Sequence, residues 1–281
     1  MTTLITGASS GIGEALALAS AQEGATLFLC GRAHERLEKV TMRCRERGAT
    51  VYEDVMDVAN AEKMQLWIRR CNEIAPLDRV FANAGVSTGE ESEENVRRTF
   101  AVNAGGVVNT VLPAIEVFSS RASLTSGQET ASPFSKAARE LRTKAQLPQI
   151  ILTASIAGYG PLKACPSYSA TKAFVKTWGL SLRGMLAPRG IRVSVVCPGF
   201  VRSRITDGNT CPMPFFMEAD KAARIILDRV ERNVGLIAFP WPMRFSVWML
   251  SCLPARLTEF IASLLPAKIK RQGVVTDGKA K

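Results

Sequence analysis

Short apolar runs alternate with longer amphipathic runs along residues 1–240. That rhythm narrows the fold more than any single residue does. Thr2–Thr6, Ala25–Cys30, Thr50–Val55, Leu77–Ala82, Gln149–Thr153, Ile191–Val196 and Leu236–Phe239 read as strands. Helical runs fall at Glu14–Glu23, His34–Arg47, Ala61–Ile74 and Ser92–Phe118, with another following Pro166. Asn60 is placed to cap the helix at Ala61, and Pro76 ends it. Strands spaced by helices in this way argue for an α/β fold, a doubly wound parallel sheet of about seven strands with helices on both faces. Its ligand belongs beyond the carboxyl ends of the strands, at the switch point.

The first strand runs straight into Gly7-Ala8-Ser9-Ser10-Gly11-Ile12-Gly13. A glycine-rich turn between strand and helix lets the backbone approach a pyrophosphate, whose charge the helix N-terminus attracts. The second strand ends in Gly31-Arg32 with no carboxylate. An acidic residue at that place binds a ribose 2′-hydroxyl, whereas an arginine accommodates a 2′-phosphate. NADP(H) is therefore expected over NAD(H).

Tyr168 and Lys172 stand four apart on one helical face, about 5–6 Å between Cβ atoms. A free tyrosine titrates at about 10, so it is a poor base at neutral pH. A fixed ammonium nearby favours the phenolate. Bringing the phenol to about 7 needs about 4 kcal/mol of differential stabilisation, more than one lysine supplies. A second cation is expected. Asn103 lies in the mostly apolar helical stretch Phe100–Ala104 and needs a hydrogen-bond partner if buried.

The formal net charge is +11. It suits phosphate-rich cofactors or an anionic membrane surface. No basic-aromatic repeat or zinc spacing favours nucleic acid, so none is expected as a partner. The single histidine, His34, opens a strongly charged helix and reads as a solvated surface residue, which excludes a histidine-based triad or a histidine-rich metal site. Seven cysteines, an odd number without Cys-x-x-Cys spacing, suggest reduced thiols inside the cell, in the cytoplasm or on the face of a membrane. The first strand starts at once, leaving no room for a signal peptide, and no run reaches about 18 uninterrupted apolar residues.

Three segments stand outside the rhythm. Residues 119–148 read as a surface insertion. Arg202–Met217, with Met213-Pro214-Phe215-Phe216-Met217, reads either as a lid over a hydrophobic substrate or as a loop packed permanently on the core. Residues 241–271 form a helical appendix. Phe245, Trp248, Met249, Cys252 and Leu253 recur at helical spacing, as do Leu257, Phe260, Ile261, Leu264 and Leu265. Its cations include Arg244, Arg256, Lys268, Lys270 and Arg271. Either the pair lies in a membrane interface, or it caps the cleft or contacts another subunit. The second reading is favoured, because amphipathic helices most often bury their face against protein. Residues 272–281 read as a disordered tail.

Taken together, the chain resembles the short-chain dehydrogenases/reductases, in their non-extended branch, over residues 1–240. The resemblance rests on Thr6–Gly13, Asp57-Val58, Asn83-Ala84-Gly85, Asn103, Ser155, Tyr168 with Lys172, and Pro198-Gly199. It implies a Rossmann-type sheet. Tyr168 is then the general acid/base, and Ser155 bonds the substrate oxygen. Lys172 binds the nicotinamide ribose and lowers the tyrosine pKa, and Asn103 holds a water linking Lys172 to solvent. The oxidised nicotinamide supplies the second cation. Gly7, Ser9, Ser10, Gly11, Ile12 and Gly13 take the pyrophosphate, with Arg32 at the 2′-phosphate. Asp57 and Val58 meet the adenine, and Asn83, Ala84 and Gly85 border its ribose. Pro198, Gly199, Val201 and Ser203 face the nicotinamide. Ser203 stands where a threonine is common, and Ala154 where a serine often precedes the catalytic one. The interval from Asn103 to Ser155 is longer than the pattern implies, which the segment 119–148 explains.

The expected activity is NADP(H)-dependent interconversion of a carbonyl and a secondary alcohol on a small apolar, lipid- or steroid-like substrate, by a homo-oligomer. The alternatives are a non-catalytic dinucleotide-binding scaffold or redox sensor, and an extended-branch sugar-nucleotide epimerase. The complete residue set disfavours the first. The glycine spacing and the lack of a long substrate domain disfavour the second.

Overall fold

The structure is a computed structural model and describes residues 1–126, 147–207, 212–254 and 256–257. The strands are β1 (Thr2–Thr6), β2 (Thr26–Gly31), β3 (Thr50–Val55), β4 (Arg79–Ala82), β5 (Gln149–Thr153), β6 (Arg192–Pro198) and β7 (Leu236–Phe239). They form one sheet in the order β3-β2-β1-β4-β5-β6-β7. Every pairing is parallel.

Side chains alternate across a strand, so each inner strand serves two cores, while the edge strand β3 buries only Val51. Leu4, Phe28, Val80, Ala82, Ile150 and Leu152 point to one face. Ile5, Leu27, Leu29, Phe81 and Ile151 point to the other. The first face is covered by α3 (Ala61–Ile74), α5 (Gly106–Ser126) and α6 (Pro166–Leu186), through Met64, Ile68, Val107, Val111, Val175 and Leu182. The second is covered by α1 (Gly11–Ser20), α2 (His34–Arg45) and α8 (Ala219–Glu231), through Leu16, Leu37, Val40, Ala222 and Ile226. Strands buried on both faces read as continuous apolar runs, as seen here.

Asn60 Oδ1 accepts the Lys63 N–H at 2.9 Å and caps α3 as expected. Helix α4 (Glu93–Phe100) is capped by Ser92 and joins α5 through a π turn at Ala101–Gly105. Pro113 lies inside α5, which runs on through Ser126, past the point where the insertion was placed. The rest of that segment, residues 127–146, lies outside the described residues. Glu93–Arg121 is long and apolar enough to cross a membrane by length and composition, but half of its apolar window is buried in the fold, as in a core helix.

His34 is exposed, 3.9 Å from Glu38. No disulfide joins the described cysteines, and no cluster of metal-ligating side chains occurs among the described residues.

Beyond β6, Met217 is tied to the strand end. Its N–H donates to Phe200 O at 3.0 Å, and Arg202 N–H donates to Met217 O at 2.9 Å. Phe215 and Phe216 beside it are exposed. The last described long helix, α9 (Trp241–Ser251), seats Met243 and Val247 on the core. The face singled out by its spacing turns outward: Phe245 and Trp248 are 53% exposed each and Met249 49%, with Trp241 beside them at 76%. Most of the second apolar helix predicted at 255–271, and the tail at 272–281, lie outside the described residues.

Candidate functional site

The carboxyl ends of β1, β2, β4, β5 and β6 open on one cleft of about 740 Å³. Of the residues singled out by sequence, all but Gly13 and Asn103 line it.

The glycine turn forms its floor. Gly7 and Gly11 have φ of +69° and +60°, a region favouring residues without a Cβ. Gly13 is demanded by packing instead, since a Cβ there would lie 2.2 Å from Gly7 O. Thr6, to which its spacing assigns no role, fixes the opposite wall. Its Oγ1 donates to Phe81 O at 3.2 Å and accepts the N–H groups of Asn83 (3.0 Å) and Ala84 (3.1 Å). Asn83 also donates to Thr6 O at 3.1 Å. One hydroxyl thus fastens the Asn83–Gly85 loop to β1. Nothing in the spacing marks Thr6, because its work depends on β1 lying beside β4.

At the end of β2, Arg32 Nη1 lies 3.8 Å from Asp57 Oδ2. Arg36, one helical turn on, lines the same hollow. Its i, i+4 relation to Arg32 was legible in sequence.

The π turn holds Asn103, which is wholly buried. Its Oδ1 accepts the Val86 N–H at 2.8 Å, and its Nδ2 donates to Val86 O (2.9 Å) and Thr171 Oγ1 (3.2 Å). The partner required of a buried amide is therefore supplied by protein. These bonds tie the loop after β4 to α6. A Cβ on Gly85 would lie 3.3 Å from both Asn103 Oδ1 and Lys172 Nζ.

Helix α6 starts with Pro at its first position, and Glu91, from the loop before α4, caps it. Glu91 Oε1 accepts the Ser167 N–H (3.0 Å) and hydroxyl (2.8 Å). Tyr168 and Lys172 follow on the face turned to the cleft. Ser155 enters from the end of β5, its Oγ accepting the Ala157 N–H at 3.1 Å and donating to Pro198 O at 3.4 Å. It stands close enough to the Tyr168 phenol to draw that pKa down.

Lys172 Nζ donates to Thr153 O at 2.9 Å and sits 5.7 Å from the Tyr168 ring centroid. Burial pushes the phenol up to about 12, outweighing the Ser155 bond. Burial also brings Lys172 down to about 8. In the chain alone the phenol is a held proton, not a phenolate.

Pro198, Gly199, Val201 and Ser203 form the far wall. Met243 of α9 backs it, since a Cβ on Gly199 would meet Met243 Sδ at 2.9 Å. The appendix therefore touches the wall of the cleft from behind while its aromatic face points away.

A parallel sheet with a glycine cradle at its first crossover and a tyrosine, a lysine and a serine gathered beside it defines a nucleotide-binding oxidoreductase of Rossmann type. The sequence pattern described as short chain dehydrogenase matches residues 1–124 and 131–211, and the chain belongs to that family. It is 32% identical over 265 residues to an uncharacterized oxidoreductase of Myxococcus xanthus, covering 94% of this chain and 97% of that protein. An uncharacterized oxidoreductase of Mycobacterium tuberculosis is 28% identical over 275 residues, covering 92% and 96%. The fold matches a short-chain dehydrogenase from Sphingobium yanoikuyae in complex with NADPH, at TM-score 0.72 and 23% identity over 96% of this chain and 98% of that one. It also matches a Brucella melitensis 3-ketoacyl-(acyl-carrier-protein) reductase complexed with NADH, at TM-score 0.68 and 22% identity over 84% and 95%. The solved neighbours thus include complexes with both kinds of nicotinamide cofactor.

Proposed function

We propose that this oxidoreductase uses NADP(H) to interconvert a carbonyl and a secondary alcohol, with Tyr168 as general acid/base. The observation that carries the reading is the gathering of Tyr168, Ser155 and Lys172 at the mouth of β5, beside the glycine cradle. The cradle fits a dinucleotide: at Gly7, Gly11 and Gly13 an added Cβ would fall within 2.8 Å of other atoms, so only bare backbone lines the approach. The cofactor, when bound, donates or accepts the hydride.

The chain handles the proton. In reduction, Tyr168 holds it, because burial keeps the phenol protonated, and delivers it to the oxygen that gains charge. The Ser155 hydroxyl holds that oxygen within reach. The Lys172 ammonium, anchored on Thr153 O, stabilises the phenolate left behind. In oxidation the same groups run in reverse, and the positive nicotinamide adds to the stabilisation Lys172 gives. Asn103 acts by position, binding the Val86 loop to Thr171 beside the lysine.

Arg32 at the end of β2, with Arg36 beside it, supports NADP(H). Exposed Leu162, Phe215 and Phe216 support an apolar substrate. Apolar side chains exposed on α5 and α6, among them Leu112, Phe174 and Met185, support self-association. The test is NADPH consumption with a panel of ketones, with Tyr168→Phe as the control. Turnover by that variant at the wild-type rate overturns the assignment.

One observation favours a second property, peripheral attachment to an anionic membrane through residues 241–271. The exposed Trp241, Phe245 and Trp248 share α9 with Arg244, the composition of an interfacial helix. This moves the balance away from a cleft cap. Flotation with anionic liposomes tests it, and full-length protein that stays at the bottom of the gradient excludes it.

A further inference from the structure

Arg204 opens the short helix α7 (Arg204–Asp207) on the segment leaving β6, and it lines the cleft together with Arg32 and Arg36. That segment is laid across the glycine turn, for a Cβ on Gly11 would meet Ser203 Cβ at 2.8 Å. Thr206 holds it there. Its Oγ1 accepts the Ser203 N–H at 2.9 Å and has Val201 O (3.0 Å) and Ser203 O (2.8 Å) as acceptors. The other cation of this segment is already engaged: Arg202 Nε donates to both carboxylate oxygens of Glu218, at 3.0 and 2.8 Å. Arg204 forms no ion pair among the described residues.

The charge around Arg32 is lopsided. Its pKa is lowered by burial first and next by the guanidinium of Arg98, and Arg204 and Arg36 lower it further. Asp57 alone opposes them. Three arginines acting on Arg32, with Asp57 the one carboxylate beside it, form an anion site that the chain itself leaves unsatisfied. Asp207 and Asp220 share the neighbouring hollow with Arg204 and are the rival partners for it.

We infer that Arg204 is a ligand for the cofactor's 2′-phosphate, reaching it from the β6 side of the cleft while Arg32 and Arg36 hold it from the β2 side. The phosphate then bridges two walls that otherwise repel. Preference for NADP(H) then comes from the repulsion this phosphate relieves as well as from its own contacts, and NAD(H) neither gains nor loses by it. The inference rests on the NADP(H) reading proposed above.

Binding measured by calorimetry tests it without turnover. The probes are NADPH, NADH, and the fragments 2′,5′-ADP and 5′-AMP, which lack the nicotinamide. Arg204→Ala is expected to weaken NADPH and 2′,5′-ADP about tenfold, the loss of one charge-assisted contact, and to leave NADH and 5′-AMP unchanged. Arg204→Lys, which keeps charge but loses the fork, falls between. Equal weakening of NADPH and NADH overturns the inference. So does an unchanged affinity for 2′,5′-ADP, including the case where only the melting temperature falls because Arg204 serves Asp207 or Asp220. Arg204→Gln, closer in size, repeats the measurement if the alanine variant fails to fold. Wild-type protein that binds NADH as tightly as NADPH defeats the cofactor reading itself. A preference for NADPH that Arg32→Ala abolishes and Arg204→Ala spares defeats only the inference.

Discussion

The first crossover of the chain and its last described helix approach the same cleft by opposite means. At Gly7–Gly13 the contact surface is backbone, and Gly13 admits no side chain at all, a Cβ there falling 2.2 Å from Gly7 O. At the Gly199 wall the support comes from behind and is a side chain, the thioether of Met243, a flexible group that can yield. A pyrophosphate is the same in every dinucleotide, so rigid backbone can recognise it. Gly199 is expected at the nicotinamide end, beside the substrate, where the enclosure differs from one enzyme to the next, so replaceable side chains suit the support behind it. The cradle should therefore break when touched, and the α9 wall should bend.

The largest expected effect is at the cradle. Gly13→Ala puts a carbon into the Gly7 carbonyl and should destabilise the fold by about 3 kcal/mol, at the upper end for overpacking, with loss of nucleotide binding. Thermal denaturation and NADPH titration check it; a variant that binds normally would erase the contrast. Next comes Arg32→Glu, which should reverse the cofactor ratio by about a hundredfold, two contacts' worth, as read from kcat/KM for NADPH and NADH.

A pH profile of intermediate size follows. Tyr168 stays protonated until about pH 12 and Lys172 loses its charge near pH 8. Reduction should hold a plateau below about pH 8 and fall above it, as the ammonium that stabilises the phenolate disappears. Oxidation, which needs Tyr168 deprotonated, should rise with pH. A reduction rate that climbs above pH 8 contradicts this assignment. Smallest is Met243→Ala behind the Gly199 wall, which should raise KM for the carbonyl substrate about three- to tenfold with a smaller loss of NADPH affinity. An equal loss of cofactor binding would show that the two regions are not separate.

The sequence revealed most where geometry is local. The strand-helix rhythm gave the parallel sheet, because a buried strand in such a sheet must be apolar on both faces, as Leu4 and Ile5 are. The glycine turn, Arg32, Ser155 and the Tyr168–Lys172 pair were readable because their spacing or position follows from one strand or one helix. What escaped depends on chains meeting far apart in sequence. The Thr6 staple needs β4 beside β1, and the Glu91 cap needs a loop to cross to α6. The π turn at Asn103 needs the amide to find Val86 and Thr171. The rise in the Tyr168 pKa was not legible either, because it comes from burial of the phenol, which depends on the packing of the whole cleft. The apolar stripe on α9 was visible, but its outward aim was not, since periodicity does not say which of two faces the core takes.

The central claim is that one phenol moves the proton beside a bound nicotinamide. NADPH-dependent reduction of a ketone by Tyr168→Phe, with NADPH binding measured on the same sample, tests it most directly. The account predicts a fall in kcat of about a thousandfold, the usual yield of general acid catalysis, in protein that still binds NADPH. Full turnover by the phenylalanine variant would contradict it.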